Sequence, residues 1–127
     1  MTDTAPLPTV DEVRASMRTA LKEAMRSRDK LAVNALRSGL SAIDNAEAVP
    51  AEPTTFGDES PIAGATVGLG STEAARRELT LEDVRTVLQA EIEERQRAAV
   101  EIEGAGHPDR AGDLRREAAV LESVVSA

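Results

Sequence analysis

The sequence has no cysteine, tryptophan or tyrosine, and only one phenylalanine, Phe56, and one histidine, His107, in 127 residues. Without cysteine there is no disulfide framework, no thiol nucleophile and no thiolate-bound zinc or iron–sulfur centre. A lone histidine has no imidazole partner for a metal site, and no spacing suggests a Ser–His arrangement. One aromatic residue cannot build the stacking platforms that read unpaired bases, so any contact with RNA is expected to follow its backbone. No apolar run approaches the ~20 residues of a membrane span. The start, Met1-Thr-Asp-Thr-Ala-Pro-Leu-Pro8, has neither the basic nor the apolar region of a signal peptide. A cytoplasmic protein with no membrane contact is the expectation.

What is present is an aliphatic, strongly charged chain, 41% hydrophobic and 30% charged, of a length that suits one domain over 1–127. Its periodicity is helical throughout. Thr9 and Glu12 form a capping-box pair ahead of Val10, Val13, Met17, Leu21 and Met25, which predicts a helix over about 10–27. Asp29 is a suitable cap for a second helix, about 30–47, with Val33, Leu36, Leu40 and Ile43 on its apolar side. Small residues Ala32, Ala35, Gly39 and Ala46 flank that stripe and would permit close helix approach. Residues 48–70 hold three prolines and four glycines but no lysine or arginine, and read as a flexible linker. Ser71 to Leu79 suggests a short helical turn. Thr80 and Asp83 then cap a helix over about 81–103 with Val84, Leu88, Ile92, Ala99 and Ile102 inside. Glu91–Arg95 and Glu93–Arg97 are expected as i,i+4 pairs on its wet side. Gly104 and Gly106 end it, and Asp109 opens a fourth helix, about 110–125, carrying Leu114, Ala118, Leu121 and Val125. The expected fold is all-α: a four-helix up-and-down bundle of two hairpins joined by the linker. A core so rich in alanine also makes a homodimer an expectation worth testing.

Motifs with chemistry are weak. The run Gly64-Ala-Thr-Val-Gly-Leu-Gly-Ser-Thr72 lacks the lysine of a P-loop and follows no strand. His107, with Glu103 four residues before it, has no further ligand at metal-site spacing. Glu91, Glu93, Glu94, Glu101 and Glu103 alternate with Arg95 and Arg97 as a solvated, ion-paired face would. There is no Gly-x-Ser-x-Gly elbow. No catalytic residue, cofactor site or metal site is nominated.

Charge is the more informative feature. The net charge is −8, yet residues 9–40 carry seven basic against four acidic groups, whereas 71–127 carry eight against thirteen. Arg14, Arg18, Lys22 and Arg26 follow one another at i+4 and so form a slowly winding cationic stripe, with Arg28, Lys30 and Arg37 near its end. Such a stripe fits RNA phosphates, an acidic protein partner or an ordinary wet face. The overall negative charge opposes long-range attraction to polyanions.

Two segments, Leu21-Lys-Glu-Ala-Met-Arg-Ser-Arg-Asp-Lys-Leu31 through Ile43-Asp-Asn-Ala-Glu47 and Arg77-Glu-Leu-Thr-Leu-Glu-Asp-Val84 through Leu121, resemble the GatB/YqeY-like family. The resemblance rests on the corner Arg28-Asp29-Lys30, the Leu36-Arg37 pair, Asn45-Ala46-Glu47, Glu91-Ile92 with Arg95, and Ala105-Gly106 followed by Leu114 and Glu117. It implies the N-terminal helical domain of a YqeY-like protein, related to the tRNA-engaging region of the tRNA-dependent amidotransferase. The family's label, a carbon–nitrogen ligase with glutamine as amide donor, comes with it. Members commonly continue through Tyr-Leu-Pro into a small further helical domain, which has no counterpart after Leu121. Glu93 and Ala98 stand where relatives often carry Lys and Ser. The expectation is a non-catalytic helical adaptor that binds tRNA or another structured RNA through Arg14, Arg18, Lys22, Arg26, Arg28, Lys30 and Arg37. The alternative is a protein-interaction module with no nucleic-acid role.

Overall fold

A computed structural model describes residues 6–48 and 78–126. They form four helices and no strand: α1, Val10–Ser27; α2, Lys30–Ala48; α3, Leu81–Gly104; and α4, Pro108–Ser126. The linker over 48–70 lies outside the described residues except for Ala48, which closes α2. Of the turn suggested for 71–79, only Glu78 and Leu79 are described, and neither is helical.

The helix starts follow from local chemistry. The Thr9 hydroxyl accepts from the Glu12 N–H at 3.1 Å while the Glu12 carboxylate accepts from the Thr9 N–H at 3.0 Å. Thr80 and Asp83 repeat the arrangement at 3.0 and 2.9 Å. Each box satisfies donors that a helix N-terminus otherwise leaves orphaned. The fourth helix opens two residues earlier than expected. Pro108, with its fixed φ and missing N–H, is suited to a first helical position. The Ala111 N–H donates to the His107 carbonyl at 3.1 Å, so His107 flanks the helix and Asp109 sits in its first turn, facing the positive end of the dipole.

Both turns close with the same backbone motif. After α3, the Gly106 N–H donates to the Glu103 carbonyl and the His107 N–H to that of Ile102, both at 3.0 Å, with Gly106 at φ 96°. After α1, the Arg28 N–H donates to Met25 at 3.2 Å and the Asp29 N–H to Ala24 at 2.9 Å. These are the paired bonds of a Schellman cap. The Asp29 carboxylate then accepts from the Ala32 N–H at 3.2 Å and starts α2.

Side-chain links fix the direction of each hairpin. Arg14, early in α1, meets Asp44 and Glu47, late in α2; Arg95 of α3 meets Glu117 of α4, and Arg115 meets Glu103 nearer the turn. The members of each pair therefore run antiparallel. The core joins all four helices through Met17, Leu36, Ile43, Val84, Leu88, Ile92 and Leu121, each at most 2% exposed. A smaller cluster of Ala99, Ala111 and Leu114 holds the turn end of α3 and α4 together.

The second helix is the hub, packing against each of the other three. The residues there that flank the branched stripe are as buried as the stripe itself: Ala32, Ala35 and Gly39 face inward, while Val33 and Leu40 are only partly covered. A Cβ placed on Gly39 would lie 3.0 Å from the Leu121 Cδ2 and Met17 Cε atoms and 3.1 Å from Leu88 Cδ2, atoms that belong to three different helices. Met25 departs from expectation in the other direction. Steps of four residues drift about 40° on a helix, so Met17, Leu21 and Met25 wind off the core face. Met25 ends half exposed, at 50%, and Ala24 takes the buried position.

Replacing Gly39 with leucine is expected to destabilise the bundle by about 1–3 kcal/mol through overpacking against those three side chains. Urea unfolding followed by circular dichroism at the helical band checks it, and unchanged stability would show that the junction has room to spare.

Candidate functional site

The winding of the cationic stripe decides what each of its members does. Arg14 lies three residues before Met17 and two turns before Leu21, at the edge of the apolar face, and it is only 9% exposed. Its guanidinium reaches Glu47 at 2.9 Å and Asp44 at 3.3 Å, with Asp11 at 3.9 Å. Arg14 is therefore an interhelical tie between α1 and α2, and the sequence-based expectation that it lies on an RNA surface gives way to that role.

Four residues on, the drift carries Arg18 into solvent, and Lys22 and Arg26 follow it. Arg28 at the corner, Lys30 at the start of α2 and Arg37 one face along are exposed as well. Of these six, only Arg26 has a carboxylate partner among the described residues, Glu23 at 3.6 Å, and both are well exposed. An exposed pair of that kind contributes ~0.2–1 kcal/mol at most. Five of these six cations thus have no ion-pair partner among the described residues, while the exposed Asp11, Glu12, Glu23, Asp29 and Asp44 of the same hairpin bring its exposed charges close to balance.

The second constellation was expected on the wet side of α3; its Glu91–Arg95 pair forms, but half-buried rather than fully in solvent. Arg95 has a side chain only 13% exposed; its Nη1 donates to the Glu91 carboxylate at 2.9 Å and its Nε to Glu117 at 3.0 Å. The Ser38 hydroxyl of α2 donates to Glu91 at 3.3 Å, so three helices meet in one polar network. Burial works against the Arg95 charge, but the hydrogen bonds to Glu91 and Glu117 and the attraction of their carboxylates outweigh it and hold its pKa above the ordinary arginine value. The companion pair expected between Glu93 and Arg97 does not form; Gln89 approaches Glu93 at 3.4 Å.

Glu117 and Ser38 were not singled out from sequence. Glu117 is 5% exposed, three residues after Leu114 and four before Leu121, so a carboxylate stands inside an apolar period. Arg95 stands likewise between Ile92 and Ala99, and Arg14 between Val10 and Met17. A charged residue at an in-period position was the legible sign of a buried ion pair.

An open cleft of about 450 Å³ lies over this network, lined by Ser38, Arg95, Arg110, Leu114 and Glu117 among others. Its polar groups are largely bonded to one another. His107 is exposed in the α3–α4 turn, and no hydrogen bond joins it to a serine among the described residues. Among the described residues no three His, Asp or Glu side chains are grouped so as to hold a metal ion, and no helix is long and apolar enough to cross a membrane.

The chain matches no family model, no curated protein and no solved structure.

Removing one partner of the interior network should be costly. Arg95→Met strands the Glu117 carboxylate and is expected to lose about 3–5 kcal/mol of stability, whereas adding Glu117→Met to it should recover most of the loss. A double-mutant cycle by urea unfolding checks this, and additive losses would mean that the two side chains are not coupled.

Proposed function

We propose that this protein is a non-catalytic helical adaptor that binds structured RNA, such as tRNA, through the sugar–phosphate backbone. The observation that carries this reading is the exposed cationic run of the α1–α2 hairpin, from Arg18 through Lys22, Arg26, Arg28 and Lys30 to Arg37. Of the other described cations, Arg14 and Arg95 are engaged in the interior and Arg115 and Arg116 by neighbouring carboxylates. The exposed Arg85, Arg97 and Arg110 belong to α3 and α4, where acidic residues outnumber basic ones. Exposed cations, five of the six without an ion-pair partner among the described residues, release counterions on meeting phosphates and need no aromatic side chain, which suits a chain with one phenylalanine.

The resemblance of the hairpin corner and of the two long segments to the GatB/YqeY-like family supports the same reading, because the related region of the amidotransferase engages tRNA. The amide-forming label of that family is not extended to this chain. The reading needs a nucleic-acid ligand and a cytoplasmic setting, with no cofactor.

The chain's negative charge sets the conditions of the test. Long-range steering toward a polyanion is weak, so affinity must come from close approach and should fall steeply with salt. Labelled tRNA titrated with the protein at several salt concentrations is expected to show affinity that declines as salt rises. Reversing Lys22 and Arg26 to glutamate should abolish measurable binding near physiological salt. Neutralising the same two residues should make the logarithmic salt slope shallower by about two, one for each phosphate that no longer meets a cation. Absence of binding even at low salt would overturn the RNA reading and favour an acidic protein as the partner of the same face.

A further inference from the structure

We propose that Arg28 is the anchoring side chain of this surface, holding a phosphate of a double-stranded RNA backbone, and that the chain keeps an arginine there against the preference of its own main chain. The inference rests on the RNA reading above and adds a residue role and a ligand form to it.

The molecule contains its own control. Its two helix corners use the same Schellman cap, with the same pair of backbone hydrogen bonds. One places Gly106 in the left-handed region at φ 96°; the other places Arg28 there, at φ 62° and ψ 35°. Arg28 is the one non-glycine residue with positive φ among the described residues. Glycine adopts that conformation at no steric cost, whereas a side chain does not. Nothing in the fold repays the difference: the Arg28 side chain is exposed and has no hydrogen-bond or ion-pair partner among the described residues. The cap sets that conformation, and no contact of the side chain accounts for an arginine in it, which points to a use for the side chain.

Position supplies that use. Arg28 lies between two other exposed cations, Arg26 and Lys30, at the place where α1 turns into α2. Its main chain is pinned by the bonds to Met25 and Ala24, and Asp29 caps the next helix beside it. Its Cα–Cβ direction is therefore fixed independently of either helix face, as an anchor's should be. Exposed neutral residues of the same hairpin, among them Thr19, Asn34 and Ser41, are short and polar and suit sugar and phosphate contacts. No aromatic residue occurs among the described residues, so the aromatic platform on which sequence-reading modules stack splayed bases is absent there, and guanidinium planes are the flat groups that remain. Paired RNA, which keeps its bases inside and displays its backbone, is the form that fits.

The test uses the full chain with Arg28→Gly and Arg28→Lys variants, a labelled RNA duplex and a single strand of the same length. Arg28→Gly is expected to raise the melting temperature by a few degrees while weakening duplex binding by about tenfold, and Arg28→Lys to stay within about threefold of the parent protein. The parent protein should prefer the duplex to the single strand. Arg28→Gly that binds the duplex as tightly as the parent overturns the anchor, as does Arg28→Gly that melts lower than the parent. Equal affinity for both RNA forms overturns the choice of duplex. A parent protein that binds neither form at low salt overturns the RNA reading itself.

Discussion

The close approach of α2 to its three neighbours at Gly39 is the constraint on which the rest of the bundle depends. Leu121, Met17 and Leu88 each bring a terminal methyl to within about 3 Å of where a Cβ would stand. A helix interior is normally a poor place for glycine, by roughly 1 kcal/mol relative to alanine. Here the missing side chain lets methyls from three helices converge on one point, and close-packed dispersion contacts are what a core without aromatics has to work with. Ala32 and Ala35 on the same side of α2 extend that approach along the axis.

Around this apolar junction the charged residues divide into two populations with different physics. Arg14 and Arg95 are held in the interior by carboxylates from neighbouring helices, and each ties two helices in a set register. The cost of burying Arg95 is offset by close bonds to Glu91 and Glu117, with Ser38 bonded to Glu91 in turn, whereas Arg14 keeps its Nε buried without a partner. The exposed cations of the α1–α2 hairpin have no such partners, contribute little to holding the fold, and are free to meet a ligand. Four-residue spacing on a helix whose turn is 3.6 residues explains how one sequence run supplies both kinds: Arg14 begins at the edge of the core, and the drift carries its successors into water.

The polar groups of the cleft over Arg95 are largely bonded to each other, and His107 sits on an exposed turn away from any bonded serine. Exposed cations without an ion-pair partner among the described residues are more numerous on the α1–α2 hairpin, whereas α3 and α4 carry most of the described carboxylates. The two hairpins therefore differ in charge: the α1–α2 hairpin holds seven basic and six acidic residues, and α3 and α4 together hold six and eleven.

How far the sequence reaches can be judged from particular residues. The all-α class, both capping boxes, the corner at Asp29 and the turn at Gly106 were legible, because each is set by residues within a few positions of one another: a hydroxyl three residues before a carboxylate, a glycine after the last apolar turn. The apolar periods of α2, α3 and α4 were legible for the same reason. What the sequence left open was the depth at which each charged residue stands. Arg14 and Arg18 are of one type and one turn apart, and only the position of α2 buries the first and leaves the second in water. Glu91 and Arg95 have the spacing of a surface pair, and become half-buried because Ser38 of α2 and Glu117 of α4 bond to them. Local structure is dictated by neighbours in sequence; burial and pairing are dictated by neighbours in space, and those exist only once four helices have come together.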